Sequence, residues 1–312
     1  MKWVTALDFE HWADSINARA DLAEIVADLI RASVKDINSF RFPSRDSAQL
    51  PGWDGRLDSS GALPYVPQGQ SAWEFGTASD FRTKANEDYA ERTKNPRGVN
   101  AEEATFIFVT PRRWTSTNPT IDEWTKEKLS ARQWKNVLVI DAVALEDWLG
   151  QNEAVAFRVA VEIFHKLPPL GVRNTTAFWN EYASRFKTVL CGEVLLADRE
   201  DNANQLLSQI GAPGPHAWQA DSSEEVVAFA IAAIRNAEVA TRRFFEARTL
   251  VVDSEEAARQ LSQKTAMVFL PRASARNLAS HLAQRNATVI AIGRDSPKYS
   301  GGPNSIGRNL TR

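Results

Sequence analysis

The chain has 312 residues, of which 43% are hydrophobic and 24% are charged. Because a domain typically has roughly 100 to 200 residues, this length predicts two domains, and the average composition excludes a disordered or fibrous chain. The 37 Lys and Arg residues against 39 Asp and Glu residues give a formal charge of -2. A uniformly basic surface is therefore excluded, and any nucleic-acid-binding surface has to be a local patch.

The cysteine content and the length of the apolar runs indicate the cellular compartment of the protein. The single cysteine, Cys191, excludes an intramolecular disulfide and a Cys-cluster metal site, and it indicates a reducing compartment. The longest apolar run, residues 226–234, is far shorter than the about 20 residues that cross a bilayer. Residues 1–10 lack the apolar segment of a signal peptide. We therefore expect a cytoplasmic protein with no membrane partner.

The first half predicts an alternation of helices and strands. Residues 18–33 place apolar side chains such as Leu22 and Leu29 at helical intervals, and residues 104–110 and 136–140 are β-rich apolar runs typical of buried strands. The remaining predicted elements are strands at 53–57 and 71–77 and helices at 80–92, 123–132 and 141–149.

The second half predicts a parallel α/β arrangement. Its predicted strands are 188–196, 217–220, 249–253, 267–271 and 288–293, and its predicted helices are 224–237, 255–263 and 275–284. Pro168 and Pro169 cannot continue a helix, so the domain junction is predicted at 167–171. The predicted fold class is α/β, with domains at 1–166 and 173–312.

Three residues of the first half carry the candidate chemistry. Asp54 follows a Gly-Trp turn, Glu74 lies in a predicted strand, and Lys84 lies on the next predicted helix. Adjacent strands would bring the two carboxylates close enough to bind Mg²⁺ or Mn²⁺ through oxygen donors. The metal would polarise a phosphate and lower the pKa of a bound water, while Lys84 would orient that water or offset developing charge. These residues predict a metal-dependent phosphodiesterase.

Each of the three residues also has a purely structural interpretation. Asp54 precedes Gly55 in a sequence typical of turns. Glu74 is compatible with a solvent-facing edge position, and Lys84 with a solvated helix face on which residues four apart pair. At this point both interpretations stay open.

The residues around these positions form three motifs. They are Pro51-Gly52-Trp53-Asp54-Gly55, Val66-Pro67-x-Gly69-x-Ser71-x-Trp73-Glu74-x-Gly76 and Lys84-Ala85-x-x-Asp88-Tyr89-x-x-Arg92. The run resembles the PD-(D/E)xK nucleases, and more narrowly the Mrr-like restriction-endonuclease modules of multidomain bacterial defence proteins. The resemblance covers about residues 18–160. It implies a mixed sheet flanked by helices.

The resemblance also implies roles for the site residues. Asp54 corresponds to the motif aspartate and Glu74 to the motif glutamate, and both would bind Mg²⁺ or Mn²⁺. The lysine expected two positions after the glutamate is replaced by Gly76. Lys84 would then supply the positive charge from the following helix.

A local basic patch is predicted from three arginines. Arg112 and Arg113 follow the predicted strand 104–110, and ligands of α/β proteins lie near strand ends. Together with Arg92 they predict a surface that binds DNA phosphates, because guanidinium groups match phosphate geometry. The alternative is ordinary solvated charge.

The second half offers one more resemblance. Residues 218–225 lie where a P-loop ATPase has its strand, phosphate loop and helix, and the region is similar to a degenerate, Rossmann-like NTPase core of the signal-transduction type. The Gly-rich loop and its Lys-Ser/Thr pair are missing, so no ATP hydrolysis is predicted. A sensor, scaffold or homo-oligomerisation role is left open.

Two functions follow from these observations. The first is a Mg²⁺-dependent DNA endonuclease that acts as an effector in bacterial anti-phage defence or restriction. The alternative is a catalytically inactive module that keeps the nuclease fold and binds nucleic acid, regulates or oligomerises.

Overall fold

The computed structural model describes residues 2–43, 52–115, 117–168, 171–188, 190–261, 267–270, 282–284, 286–294 and 304–306. The chain divides into two compact units, Lys2–Gly150 and Gln151–Arg312. The predicted junction at 167–171 thus lies inside the second unit.

The first unit is an α/β unit built on one sheet. In chain order its elements are α1 (Ala6–Trp12), α2 (Ala18–Ser33), β1 (Ile37–Arg41), β2 (Gly55–Ser59), β3 (Gly69–Phe75), α3 (Phe81–Lys94), β4 (Thr105–Val109), α4 (Ile121–Ser130), β5 (Asn136–Ile140) and α5 (Ala142–Gln151). The five strands are ordered β1-β2-β3-β4-β5. The pairs β1–β2 and β2–β3 are antiparallel, while β3–β4 and β4–β5 are parallel. The sheet is therefore mixed, as the motif resemblance implied.

An aromatic cluster covers one face of this sheet. Because side chains alternate across a strand, Ala72 of β3 and Phe106 and Phe108 of β4 share a face. They pack with Ala85 and Tyr89 of α3 in a single buried cluster. This packing fixes α3 over the sheet, next to the ends of β2 and β3.

Local sequence accounts for several helix ends. Thr5 and Asp8 form a reciprocal capping box at the start of α1. The Asp141 side chain accepts hydrogen bonds from the backbone amides of Val143 and Ala144, at 3.1 and 3.0 Å, at the start of α5. These contacts satisfy amide groups that a helix leaves without an internal partner.

The second unit contains a second sheet among short helices. In chain order its elements are α6 (Glu153–Arg158), a π-helical turn (Val159–Ile163), β6 (Val172–Asn174), α7 (Thr175–Ala183), α8 (Gly192–Leu196), α9 (Glu200–Gln209), β7 (Gly214–Gln219), α10 (Ser223–Asn236), α11 (Val239–Glu246), β8 (Thr249–Val252), α12 (Glu255–Leu261), β9 (Met267–Leu270), β10 (Ala287–Ile292) and β11 (Asn304–Ser305). The strand order is β11-β7-β10-β9-β8-β6. Its pairs are parallel except β6–β8, which is antiparallel, so this sheet is mixed and not purely parallel.

Two predicted elements of the second half are not confirmed. The predicted strand 188–196 is wrong over its last five residues, which form α8 and bury Leu195 and Leu196. Its Gly192 lies against Ala232 of α10, so packing on a neighbouring helix overrides the local β preference. The predicted helix 275–284 lies mostly outside the described residues.

The longest apolar run of the sequence forms the centre of the second core. Residues 226–234 are buried along α10, in one cluster with Trp218 of β7 and Phe178 of α7. Within the described part of the chain, no helix is both long and apolar enough to cross a membrane.

Candidate active site

Strand register brings Asp54 and Glu74 to the same face of the first sheet. Gly55 of β2 is opposite Trp73 of β3, so Asp54, one residue earlier, stands opposite Glu74. Residues opposite each other in an antiparallel pair project to the same side of the sheet. The predicted acidic pair therefore shares one face, at the end of two adjacent strands.

The backbone around Asp54 holds its carboxylate in place. Its Oδ2 accepts a hydrogen bond from the backbone amide of Phe75 at 2.8 Å, and its Oδ1 lies 3.6 Å from the guanidinium of Arg19. The following residue has to be small, because a Cβ at Gly55 would lie 2.3 Å from the ring of Phe42. Asp54 is therefore more than a turn residue, because its carboxylate also accepts a hydrogen bond from the neighbouring strand β3.

Glu74 is buried, with 2% of its surface exposed, and its partner is Arg92 of α3. The guanidinium of Arg92 donates to the Glu74 carboxylate and to the backbone carbonyl of Gly52, and it lies 5.0 Å from the ring centre of Trp53. Burial excludes the solvent-facing edge position that the sequence left open for Glu74. Arg92 is therefore an internal partner of the site acid.

Burial and the neighbouring charge of Asp54 raise the pKa of Glu74 from 4.5 to about 8, although Arg92 opposes this shift. Desolvation penalises the charged carboxylate, and a second carboxylate nearby adds repulsion. Raised carboxyl pKa values of this kind are frequent at functional sites. Burial and the charge of Asp54 thus outweigh the stabilisation that Arg92 gives to the charged Glu74 carboxylate.

A third acid, Asp88, joins this pair. It is 5% exposed, and one of its oxygens, Oδ2, is buried without a hydrogen-bond partner among the described residues. Burial raises the pKa of Asp88, and the charge of Asp54 contributes to the increase. No role for Asp88 was predicted from the sequence. The sequence signal that could have revealed Asp88 is its position one helical turn after Lys84 and one turn before Arg92.

Lys84 lies at the same cluster. Its ammonium group pairs with Asp88, and its side chain is 38% exposed. A Cβ at Gly76 would lie 3.5 Å from Cγ of Lys84 and 2.5 Å from the ring of Phe108. The Lys84 chain therefore passes beside the position where the motif lysine is missing, while Phe108 fills the space that a side chain at residue 76 would need.

The three arginines predicted to bind DNA all have partners within the chain. Besides Arg92, Arg112 donates to the Thr77 carbonyl at 3.0 Å and pairs with Asp14. Arg113 pairs with Glu10. These pairs link the loop after β4 to α1 and the residues that follow it, which gives both arginines a structural role. Their binding to DNA remains a prediction.

The donor set at this site suits a hard divalent cation. Asp54, Glu74 and Asp88 offer carboxylate oxygens, the ligands that Mg²⁺ and Mn²⁺ prefer. The orphaned oxygen of Asp88 is an acceptor that a cation would satisfy. Among the described residues, however, no group of three or more His, Cys, Asp or Glu side chains is placed so that it could hold a metal ion.

The second unit contains the predicted strand, loop and helix without a phosphate cradle. β7 leads through residues 220–222 into α10, where the Ser222 hydroxyl accepts from the Glu225 amide at 3.0 Å. Glu224 and Glu225 pair with Arg185 and Arg199, respectively. Both acids at this helix start are thus neutralised within the chain.

Comparison with protein-family models, with curated proteins and with solved structures found no match for this chain. The site is therefore interpreted from its own residues.

Proposed function

We propose that the first unit is a Mg²⁺-dependent phosphodiesterase that cleaves DNA. The observation that carries the proposal is the placement of Asp54 opposite Glu74 on one sheet face, beside the buried, partly unsatisfied Asp88. Three buried or half-buried carboxylates in one place repel one another, and the cations of the chain leave one Asp88 oxygen without a hydrogen bond among the described residues. A divalent ion would offset that repulsion.

The residues have distinct roles in this proposal. Asp54 and Glu74 would bind the Mg²⁺ or Mn²⁺ ion, and Asp88 would lie beside them. The ion supplies Lewis-acid polarisation of a phosphate and a water of lowered pKa. The side chain of Lys84 passes beside the vacant motif position, and its ammonium group would offset charge that develops on the phosphate. DNA as the substrate, and a role in bacterial defence or restriction, come from the motif resemblance.

A specific observation favours the alternative of an inactive module that binds nucleic acid or regulates. Each site acid already has a cation within the chain, since Arg92 pairs with Glu74, Lys84 pairs with Asp88, and Arg19 lies near Asp54. Such pairs can stabilise a fold that has no catalytic role. Binding of DNA without cleavage in Mg²⁺ would support this alternative.

Cleavage of plasmid and linear DNA with Mg²⁺, and with EDTA, tests the proposal. We expect Asp54→Asn and Glu74→Gln to lower the rate by about 100-fold or more, because each removes a charged metal ligand. Asp122→Asn and Glu87→Gln serve as matched controls, since both residues are exposed helix acids. Thermal melts would establish that all variants are folded.

Lys84→Ala extends the same experiment to Lys84, the residue proposed to replace the missing motif lysine. We expect it to slow cleavage while Lys84→Arg keeps part of the rate, because the arginine retains the positive charge. Cleavage that is equally fast in wild type, Asp54→Asn and Glu74→Gln would reject the assigned site. A silent Lys84→Ala with inactive acid variants would reject only the role of the lysine.

A further inference from the structure

Two arginines lie directly opposite each other on strands β1 and β2, at the edge of the first sheet. Arg41 of β1 is directly opposite Arg56 of β2, so both side chains project to the same face. Like charges in directly opposite positions destabilise a strand pair. Among the described residues, neither arginine has a carboxylate partner, in contrast to Arg92, Arg112 and Arg113. The fold therefore contains a repulsive pair that its described residues do not neutralise.

A cavity of about 330 Å³ lies at this pair. Arg41 and Arg56 line it together with Ser39 and Gln70, and Gly98 of the loop after α3 forms another wall. Gly98 has a φ of +83°, and a Cβ there would lie 3.9 Å from the Arg56 guanidinium, so this glycine brings loop backbone up to the arginine. The lining offers guanidinium, hydroxyl and amide groups, all of which donate hydrogen bonds to anions.

The cavity lies on the same sheet face as the acidic pair. Arg56 is two residues after Asp54 on one strand, and side chains two apart project to the same side about 7 Å from each other. Asp58 also lines the cavity, but it lies two residues farther from Asp54, so Arg56 stands between the two acids. Arg41 and Arg56 are thus the basic residues on the strands of this sheet, whereas the cations at the site acids, Arg19, Lys84 and Arg92, come from helices.

We propose that Arg41 and Arg56 form a subsite for a backbone phosphate of the nucleic-acid strand, next to the phosphate that is cleaved. The inference rests on the proposed function, because the acidic pair supplies the cleavage position. Guanidinium groups bind phosphate oxygens through paired hydrogen bonds. Occupation by a phosphate removes the repulsion between the two arginines and counters the repulsion that Asp54 and Glu74 exert on DNA. Because the chain has a formal net charge of -2, binding of DNA needs such a local positive site.

The test measures DNA binding without cleavage. Arg41→Gln, Arg56→Gln and the double variant of the full chain are titrated with labelled duplex and single-stranded DNA in EDTA, over a range of NaCl concentrations. We expect the double variant to bind about tenfold more weakly. The slope of log affinity against log salt should fall by about 0.9 for each phosphate of duplex DNA that the variant no longer neutralises. Arg259→Gln removes one exposed arginine from α12 and should leave affinity and slope unchanged.

The outcomes separate this inference from the proposed function. If the wild type cleaves DNA and the double variant binds with unaltered affinity and slope, the phosphate subsite is rejected and the nuclease stands. If DNA binding depends on both arginines but no cleavage occurs in Mg²⁺, the subsite stands and the nuclease is rejected. A wild type that neither binds nor cleaves DNA overturns both. Arg41→Lys with Arg56→Lys should restore the salt slope, because the charges return.

Discussion

At the residue scale, Glu74 combines two opposing effects. It is a buried carboxyl beside Asp54, which raises its pKa to about 8, yet it accepts a hydrogen bond from Arg92. Buried charge is tolerated when it is paired, and removal of one partner of a buried pair typically costs about 3 to 5 kcal/mol. The sequence indicated that Glu74 was a candidate ligand, but not that its closest cation would be Arg92.

The raised pKa of Glu74 predicts a pH dependence of stability. A carboxyl with a higher pKa in the folded chain binds a proton preferentially in that state, so its contribution is complete below about 4.5 and is lost as the pH rises through about 8. Relative to Glu74→Gln, which does not titrate, we expect the wild-type unfolding free energy to fall by up to about 1.4 kcal/mol per pH unit in that window. Urea unfolding in EDTA, followed by tryptophan fluorescence, measures this difference. Parallel pH profiles for the two proteins would contradict it.

Gly76 gives a prediction about the vacant motif position. A Cβ at this residue would lie 2.5 Å from the ring of Phe108, which is fully buried. We expect Gly76→Ala to lower the unfolding free energy by about 1 to 3 kcal/mol, the usual range for overpacking. Gly150→Ala is the matched control, since nothing lies within 4 Å of a Cβ there. Equal denaturation midpoints for both variants would show that Phe108 does not restrict residue 76.

Sequence patterns reveal some residues of the site and miss others. Asp54 and Glu74 were predicted as candidate ligands from the motifs, and the pairing of β2 with β3 places them opposite each other. Asp88 could have been found from its spacing to Lys84, but its buried, unpartnered oxygen appears only when α3 packs on the sheet. The pairing of Arg112 with Asp14 spans 98 residues of sequence, and no local pattern encodes it.

At the element scale, prediction succeeded where the apolar pattern is strong. The predicted helix 18–33 and strand 136–140 match α2 and β5. β1 was not predicted, because it is an exposed edge strand and has no alternating apolar pattern. Its register with β2 places Arg41 opposite Arg56.

A single side chain, Asp141, stabilises the start of α5. Asp141 is buried and accepts from the amides of Val143, Ala144 and Trp114 at 3.0 to 3.1 Å. We expect Asp141→Ala to cost about 2 kcal/mol, because it removes a cap and leaves buried amides unsatisfied. Asp80→Ala should cost much less, since Asp80 precedes α3 without a side-chain capping bond. Similar urea midpoints for these variants would contradict the capping argument.

At the scale of the whole molecule, each unit has its own sheet and its own hydrophobic cluster. Eight of the ten tryptophans lie before residue 150, so fluorescence reports mainly on the first unit. The prolines after α6 indicated a junction at 167–171, but the chain divides at residue 150. Residues 153–157 are all buried in α6, and α6 contacts β6 of the second unit.

The division at residue 150 predicts which fragments of the chain fold on their own. We expect a fragment of residues 1–150 to unfold cooperatively on its own, because its buried cluster is complete. A fragment of residues 151–312 should melt at a higher temperature than one of residues 167–312, which lacks the buried side chains of α6. Circular dichroism melts of the three fragments measure this. Identical melting of the two fragments that end at residue 312 would place the boundary at the prolines instead.

The sequence by itself determined the alternation of helices and strands, because this alternation depends on local periodicity, and motif spacing indicated Asp54 and Glu74 as candidate acids. The mixed first sheet was implied by the motif resemblance, and the strand pairing establishes it. Tertiary structure alone decided which charges neutralise each other. Arg113 meets Glu10 across 103 residues and Arg92 meets Glu74 across 18, while Arg41 and Arg56 are left facing one another. Ion pairs depend on distance in space and on burial, and neither quantity is encoded in short sequence patterns.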